Sequence, residues 1–231
     1  MEERERLAFL GWSSTPKFKA KVKGAIAVIK KALAIAPAYV ACSWGKDSVV
    51  MLHLCQQVKA DISVIYWSTP YQDLIDNFSE TRDKYLSKYP SIYQEMPYKK
   101  ELKNTREHAI KSGIGQQYPV AFIGLRSGES INRRRTLKRG LIRQYKNGTY
   151  RVCPVGFWSY QDIWAYTVKH ELPYLSCYDI IAKSSHMSRS TPHISVSNNQ
   201  SYQVERWEYL KKNSPSFVQF IEDNYNDSNN P

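Results

Sequence analysis

Residues 38–54 constrain the fold of this chain more than any other segment, because they read as a strand, a tight polar loop and a helix. The strand, Tyr39 to Cys42, is short, apolar and aromatic, and the helix from Val49 onward is apolar almost all round, as in a helix packed on a sheet. Between them, Gly45 lets the backbone approach a ligand closely. Backbone N–H groups and the helix dipole converge on this loop, so the segment predicts a phosphate-binding loop.

The side chains of the loop suit the same ligand. Ser43 and Ser48 offer hydroxyl donors, and Lys46 offers a cation for the leaving phosphates. The spacing is not that of the Walker loop, Gly-x4-Gly-Lys-Ser/Thr. The alternative interpretation is an ordinary capped helix, in which Asp47 or Ser48 is the N-cap residue and Lys46 lies in solvent.

Strands and helices alternate along the chain, which indicates a parallel sheet covered by helices on both faces. We therefore predict an α/β fold with a doubly wound, mostly parallel sheet. Further strands are predicted over 62–67 and 119–124, a hairpin within 141–152, and helices over 17–34, 73–87, 101–111 and 159–170. Ligands of such sheets bind beyond the carboxyl ends of the strands. The candidate site is therefore formed by residues 43–48, 67–69 and 124–130.

The third of these strand ends carries a second informative motif. Arg126 and Arg133 bracket a turn and can offer paired donors to phosphate or sulfate oxygens. Glu129 can hold one of the two arginines in place. The alternative is a basic surface helix with an intrahelical Glu–Arg pair.

Both motifs resemble one known family. Ser-x-Gly-Lys-Asp-Ser at 43–48 resembles the pyrophosphate loop of the adenine-nucleotide α-hydrolase superfamily, and most closely that of its phosphoadenosine-phosphosulfate (PAPS) reductase branch. Gly-Leu-Arg-x-x-Glu-Ser-x-x-Arg at 124–133 is similar to an arginine element of the same family. The segment 154–179, with a tryptophan-bearing helix and a His-Glu-Leu-Pro turn, resembles the part that follows. The resemblance thus covers roughly residues 38–180.

The sequence departs from the family pattern in two places. Trp44 stands where the family usually has a glycine, which crowds the loop and bears on which nucleotide fits. PAPS reductases carry a nucleophilic cysteine in a Glu-Cys-Gly element near the C-terminus, whereas no cysteine follows Cys177 here. Reduction of the usual kind is therefore not expected, although Cys153 and Cys177 are the candidate nucleophiles that are left.

The resemblance implies an adenine nucleotide, ATP or PAPS, as the ligand. Lys46 and Asp47 are the expected catalytic residues, and Mg²⁺ can accompany the nucleotide with Asp47 as a ligand. The expected nucleotide-binding residues are Ser43, Trp44, Gly45, Lys46, Asp47, Ser48, Trp67, Ser68, Gly124 and Arg126. The residues expected to bind the substrate's anionic group are Arg126, Glu129, Ser130 and Arg133.

The composition of the chain limits the kinds of ligand and partner that it is expected to bind. The formal net charge of +12 suits a polyanion, either nucleotide phosphates or nucleic acid. Nine Lys and Arg residues fall within 126–151, against the single acid Glu129. The four cysteines are widely spaced without a Cys-x-x-Cys pair, so no zinc site or iron–sulfur cluster is expected. No apolar run has the length of a membrane span and the N-terminus is no signal peptide, so a cytoplasmic protein is expected.

The sequence predicts three parts and leaves three functions open. The parts are an irregular N-terminal arm over 1–16, a nucleotide-binding domain over 17–183, and a C-terminal loop with helices over 184–231. The functions are an enzyme that attacks the α-phosphate of ATP and releases pyrophosphate, an enzyme of PAPS or adenylyl sulfate, and a nucleotide-dependent subunit of an assembly that modifies nucleic acid. The oligomeric state and any partner protein are not indicated.

Overall fold

In the part of the chain that the computed structural model describes, the sheet has six strands, and all but one neighbouring pair are parallel. The structure describes residues 1, 3–68, 77–97, 107, 109–110, 112–176 and 178–179. Within them the strands are β1 Ala38–Ala41, β2 Ser63–Ser68, β3 Ile92–Pro97, β4 Val120–Ile123, β5 Ile142–Gln144 and β6 Tyr150–Val152. Their order across the sheet is β3-β2-β1-β4-β6-β5, and only β5 and β6 pair antiparallel. The predicted α/β fold with a mostly parallel sheet is confirmed.

Helices flank the sheet and connect its strands. They are α1 Glu3–Ser14, α2 Pro16–Leu33, α3 Lys46–Gln56, α4 Phe78–Lys88, α5 Ile114–Gln117, α6 Ile131–Leu137 and α7 Tyr160–Lys169, with a 3₁₀ turn at Ser127–Glu129. Thr15 caps α2, and Ser159 with Asp162 forms a capping box on α7. The helices predicted over 17–34 and 159–170 are confirmed.

The main core lies on one face of the sheet. Val40, Val64 and Phe122 are fully buried there against the apolar residues of α2, α3, α4 and α7. Alternate residues of the same strands point to the opposite face, where Tyr39 and Ile65 pack with Ala109 and Ile114 in a smaller cluster. Because both faces are covered, the strands read in the sequence as short apolar runs.

One prediction about an element is wrong, and one strand was not predicted. The N-terminal arm is not irregular, because residues 3–14 form α1. This helix packs on α7: Phe9 stacks on the ring of Trp164, and the indole Nε1 of Trp12 donates to buried Asp162 at 2.9 Å. Residues 91–100 had no assigned element, yet they contain β3, an edge strand whose residues are mostly exposed and therefore lack an apolar run.

Several predictions lie outside the described residues. The helix over 73–87 is observed from Phe78 onward, and most of the helix over 101–111 is not described. The C-terminal part over 184–231 and Cys177 also lie outside. The hairpin within 141–152 is confirmed as β5 and β6, joined by a turn at Asn147-Gly148.

Candidate nucleotide site at the ends of two central strands

The loop between β1 and α3 holds its shape through backbone contacts around Gly45. Gly45 is the N-cap residue of α3, and its carbonyl accepts hydrogen bonds from the backbone N–H groups of Ser48 and Val49, each at 3.0 Å. The Ser48 hydroxyl donates to the same carbonyl at 2.8 Å, and the hydroxyls of Ser43 and Ser48 are 3.3 Å apart. No side chain among the described residues caps the helix. The alternative in which Asp47 or Ser48 is the N-cap residue is therefore wrong. The first turn of α3 presents backbone N–H groups that can donate hydrogen bonds to an anion.

Trp44, which stands where the resembled family usually has a glycine, takes a backbone conformation that glycine adopts freely. Its φ of 60° lies in the left-handed region, which costs about 1 kcal/mol or more for a residue other than glycine. Burial of the whole side chain offsets that cost. The indole ring packs edge-on against Tyr85 of α4 and Tyr93 of β3, with ring centres 5.9 Å apart in each case. The indole ring thus lies in the main core and not in the loop. The side chain of Trp44 therefore does not crowd the loop, and only its backbone occupies space there.

Three charged side chains are buried where α3 begins. Lys46 is 1% exposed, Arg126 is 1% exposed and Asp47 is 8% exposed. One carboxylate oxygen of Asp47 accepts from Nε of Arg126 at 2.6 Å, and the other lies 3.3 Å from Nζ of Lys46. These contacts join the loop after β1 to the loop after β4, although Asp47 and Arg126 are 79 residues apart.

The two cations keep Asp47 ionised. Burial by itself would raise the pKa of Asp47, but the charges of Lys46 and Arg126 outweigh it, and the pKa lies below its ordinary value. The pKa of Arg126 is raised: burial opposes the charged form, and the negative charges of Asp47 and Glu129 more than compensate. Both carboxylate oxygens of Asp47 face cations, so the hypothesis that Asp47 holds Mg²⁺ does not fit this arrangement. Within the described residues no three His, Cys, Asp or Glu side chains form a group that could hold a metal ion.

The segment after β4 is held by a second set of charges. Glu129 is buried, accepts from the backbone N–H of Arg126 at 2.7 Å and forms an ion pair with Arg133. Ser130 caps α6, because its hydroxyl accepts from the backbone N–H of Arg133 at 3.1 Å. The side chain of Arg133 remains 43% exposed. Glu129 thus supports Arg133, as predicted, but it does so from the 3₁₀ turn that precedes α6, so the pair is not the intrahelical one of the alternative interpretation.

Gly124 brings the two loops into direct contact. A Cβ atom at this position would lie 2.9 Å from the backbone nitrogen of Ser48 and 3.1 Å from the carbonyl carbon of Asp47. Both distances are shorter than an ordinary contact. Glycine is therefore required here for close approach rather than for an unusual φ.

The remaining predicted residues lie on the neighbouring strand β2. Trp67 and Ser68 are its last residues and are half-buried. Trp67 packs edge-on against Tyr39 of β1, and the hydroxyl of Ser68 donates to the carbonyl of Met96 at 3.4 Å. Thus the loop and the arginine element form one connected cluster, while Trp67 and Ser68 extend the same edge of the sheet by one strand.

The sequence reasoning missed one residue of this cluster. Nζ of Lys46 lies 4.5 Å from the ring centre of Tyr178, a cation–π distance. Tyr178 is buried and follows α7, far along the chain from the loop. The available signal was its place at the end of the segment 154–179, which resembles the same family as the two motifs.

The described cysteines and His170 do not have the features of catalytic groups. Cys42, Cys55 and Cys153 are buried and free. Burial raises the pKa of Cys42 to about 11 and that of Cys153 to about 11, so both are neutral thiols at pH 7. His170 is the C-cap residue of α7.

Among the described residues, no helix combines the length and apolar character that a membrane crossing requires.

Comparison with known proteins agrees with the sequence motifs. The model of the phosphoadenosine phosphosulfate reductase domain matches residues 37–182. Adenosine 5′-phosphosulfate reductase of Staphylococcus haemolyticus is 28% identical over 163 residues, which are 60% of this chain and 63% of that protein. The protein of the same name from Bacillus mycoides is 26% identical over 160 residues, 61% of this chain and 67% of that protein. The alignment thus spans less than two thirds of the Staphylococcus relative.

Solved structures with the same fold are more distant in sequence. The PAPS reductase of Candida auris, in complex with phosphate, matches with a TM-score of 0.53 at 14% identity and covers 72% of this chain and 92% of that one. The FMN adenylyltransferase of Candida glabrata, in complex with ATP, matches with a TM-score of 0.60 at 12% identity and covers 89% and 87%. At these identities the likeness shows the fold alone. Since the family match covers more than half of the chain, the protein belongs to the phosphoadenosine phosphosulfate reductase domain family.

Proposed function

We propose that the chain binds an adenine nucleotide at the carboxyl ends of β1 and β4 and acts at its α-phosphate or its sulfate. The observation that carries the proposal is the buried cluster of Lys46, Asp47 and Arg126 at an N-terminus of α3 that no side chain caps. A phosphate at this point would accept from backbone N–H groups and meet the charge of Lys46. Family membership and the names of the relatives support the same ligand class.

Each residue of the cluster has a distinct role in this proposal. Lys46 would stabilise negative charge that develops on the leaving group, pyrophosphate or a sulfur oxyanion. Asp47 would position Lys46 and Arg126, because it contacts both. Arg133 is the arginine with an accessible guanidinium, so it would contact the substrate's anionic group, with Glu129 fixing its orientation.

Conversion of candidate nucleotides tests the proposal. The purified protein is incubated with ATP, PAPS or adenylyl sulfate, with and without Mg²⁺, and the products are separated by chromatography. We expect release of AMP, pyrophosphate or the adenosine phosphate of a sulfonucleotide from at least one of them, and loss of that release in Lys46→Ala. The control is Lys59→Ala, which removes an exposed cation that forms an ion pair with exposed Asp61. Equal turnover in the two variants would contradict the role of Lys46.

Reduction by the usual thiolate route is not part of the proposal. Attack on sulfur needs an accessible thiolate, whereas each cysteine in the described part of the chain is buried. We therefore expect no sulfite release from PAPS or adenylyl sulfate with a thioredoxin-like donor. Sulfite release that disappears in Cys177→Ser would show that Cys177 is a displaced nucleophile.

A second candidate function rests on the surface around α6. Four exposed cations, Arg134, Arg135, Lys138 and Arg139, lie on this helix or directly after it. Such a surface suits a nucleic-acid backbone, so the chain would be the nucleotide-dependent subunit of a modifying assembly. A gel shift with tRNA and with duplex DNA at two salt concentrations tests it. Salt-sensitive binding that weakens in Arg139→Ala, with nucleotide conversion unchanged, would support this candidate; no shift at low salt would reject it.

A further inference from the structure

Phe157 is an exposed aromatic residue in a turn whose other residues are buried. It follows β6 and is 54% exposed, whereas Val155, Gly156 and Trp158 beside it are buried. Backbone hydrogen bonds hold the turn, because the N–H groups of Gly156 and Trp158 donate to the carbonyls of Cys153 and Val155, each at 2.9 Å. The ring is thus presented to solvent from a fixed backbone, so binding of a partner would order little beyond the ring itself.

The turn connects two helices of the fold. On one side it contacts α6, since a Cβ atom at Gly156 would lie only 3.0 Å from the side chain of Leu137. On the other side the ring of Trp158 packs on Phe18 of α2, with ring centres 5.8 Å apart. Phe157 therefore stands between a residue that contacts α6 and a residue that contacts α2.

Both helices belong to basic segments that contain no acid. Residues 16–35 include six Lys, residues 130–161 include eight Lys and Arg, and neither range has an Asp or Glu. Cations of this kind repel one another and attract a polyanion. The exposed ones in the first turn of α2 and on or directly after α6 are Lys17, Lys19, Arg134, Arg135, Lys138 and Arg139.

An exposed aromatic face between two groups of cations matches a single-stranded nucleic acid. The phosphates of a strand meet the cations, and an unpaired base has a free face that can stack on the ring. A duplex also presents phosphates, but the faces of its bases are covered by their neighbours in the stack. An acidic peptide would satisfy the cations without using the ring.

We propose that the surface formed by Phe157, the start of α2 and α6 binds single-stranded nucleic acid, with one base stacked on Phe157. The proposal narrows the second candidate function from nucleic acid in general to a single strand, and it rests on that function for the class of partner. It does not depend on the nucleotide site between β1 and β4.

Fluorescence anisotropy with matched probes tests the stacking. The labelled probes are oligothymidylate, oligouridylate and an abasic strand of the same length, which keeps the phosphates but lacks the bases. We expect at least one strand with bases to bind more tightly than the abasic strand. Phe157→Ala and Phe157→Leu should each weaken its binding by about fivefold or more, the scale of one lost stacking contact, and leave the abasic strand unchanged. Phe157→Trp, which keeps an aromatic face, should retain the wild-type affinity.

Further variants separate the charges from the ring. Lys19→Gln and Arg135→Gln should weaken the binding of all strands and lower its salt dependence, since each removes a contact to a phosphate. Ile92→Ala is the control for Phe157→Ala. It removes an apolar side chain that is 58% exposed on β3, at the other edge of the sheet from β5, and should leave all affinities unchanged.

The outcomes distinguish this proposal from the function on which it rests. The proposal alone is overturned if strands bind but Phe157→Ala binds as the wild type does, or if the abasic strand binds as tightly as the strands with bases. Competition by a duplex or by oligoglutamate that equals competition by the single strand would also overturn it. If no strand binds at low salt, the second candidate function is rejected together with the proposal.

Discussion

At the scale of single residues, the central feature is Asp47, a buried carboxylate that two buried cations share. Charges in a protein interior are tolerated when each is paired, and removal of one partner leaves an uncompensated charge. Lys46 and Arg126 would both lose an oppositely charged neighbour if Asp47 were neutral. This dependence gives a stability test that requires no ligand.

Asp47→Asn should lower the free energy of unfolding by about 3 kcal/mol, the scale for breaking a buried ion pair. The measurement is urea unfolding followed by circular dichroism. The matched control is Asp61→Asn, which breaks a pair at 2.8 Å whose side chains are 45% and 71% exposed. Its cost should stay below about 1 kcal/mol. Equal costs for the two variants would contradict the buried pairing of Asp47.

His53 should make stability depend on pH. Its ring is buried against Tyr89, Tyr166 and His170, and its Nδ1 lies 2.9 Å from the hydroxyl of Tyr166. Burial, with smaller contributions from the positive charges of His170 and Lys88, lowers its pKa to about 4. The unfolded chain, with a pKa near 6.5, then binds more protons than the folded chain between these values. The contribution of neutral His53 to the free energy of unfolding is fully present above about pH 6.5 and is lost as the pH falls towards 4.

The variant His53→Gln isolates this effect. Unfolding free energies of the wild type and the variant are measured at pH 7 and pH 4.5. The wild type should lose about 2 kcal/mol more than the variant over this interval. A loss of the same size in both proteins would assign the pH dependence to other groups.

Several residues of the candidate site could be predicted from local motifs. The contacts between residues far apart in the sequence could not. Lys46, Asp47 and Arg126 could be named because each belongs to a short motif next to a strand end. No local pattern indicates that Asp47 accepts a hydrogen bond from Arg126, 79 residues away, or that the ring of Tyr178 lies beside Lys46. Trp44 was expected to crowd the loop, but the cavity between α4 and β3 that accepts its ring is created only by the folded chain.

At the scale of elements, the contact between the end of β4 and the start of α3 determines the shape of the site. Gly124→Ala should push the two segments apart, because its Cβ would lie 2.9 Å from the backbone of Ser48, which cannot rotate away. We expect a loss of about 1–3 kcal/mol in unfolding free energy, the usual cost of overpacking, together with weaker nucleotide binding.

Gly128→Ala is the control for that substitution. Gly128 lies in the same loop, and a Cβ there would have no atom within 4 Å. Its unfolding free energy should change by less than about 0.5 kcal/mol, within the range of surface substitutions. If Gly124→Ala were as mild as Gly128→Ala, the close approach would not be a constraint on the site.

The two elements that could not be predicted from the sequence, α1 and β3, lack a local apolar pattern for different physical reasons. Helix α1 depends on partners that are far away in sequence, since Trp12 donates to Asp162 of α7, 150 residues later. Its own sequence has no clear apolar period. Strand β3 is an edge strand with exposed side chains, so neither alternation nor an apolar run marks it. The buried strands β1, β2 and β4 were predictable because burial on both faces demands apolar residues at nearly every position.

At the scale of the whole molecule, the strand order explains why the candidate site lies at the ends of β1 and β4. From β1 the chain adds β2 and then β3 on one side, and β4 and β6 on the other. Connections that leave neighbouring strands towards opposite sides open a crevice at their carboxyl ends. The loop after β1 and the loop after β4 flank this crevice between β1 and β4. The alternation of strands and helices predicted the parallel sheet, but the order of its strands is not encoded in any local pattern.

The most direct test of the nucleotide site is calorimetric titration with PAPS, adenylyl sulfate, ATP and AMP. We expect at least one of the first three to bind. Lys46→Ala and Ser48→Ala should each weaken that binding by about 1–3 kcal/mol, the scale of a lost charge-assisted hydrogen bond, and Lys59→Ala should not change it. Binding of unchanged affinity in both loop variants, with the fold intact by circular dichroism, would contradict the assignment of the loop between β1 and α3 as the phosphate site.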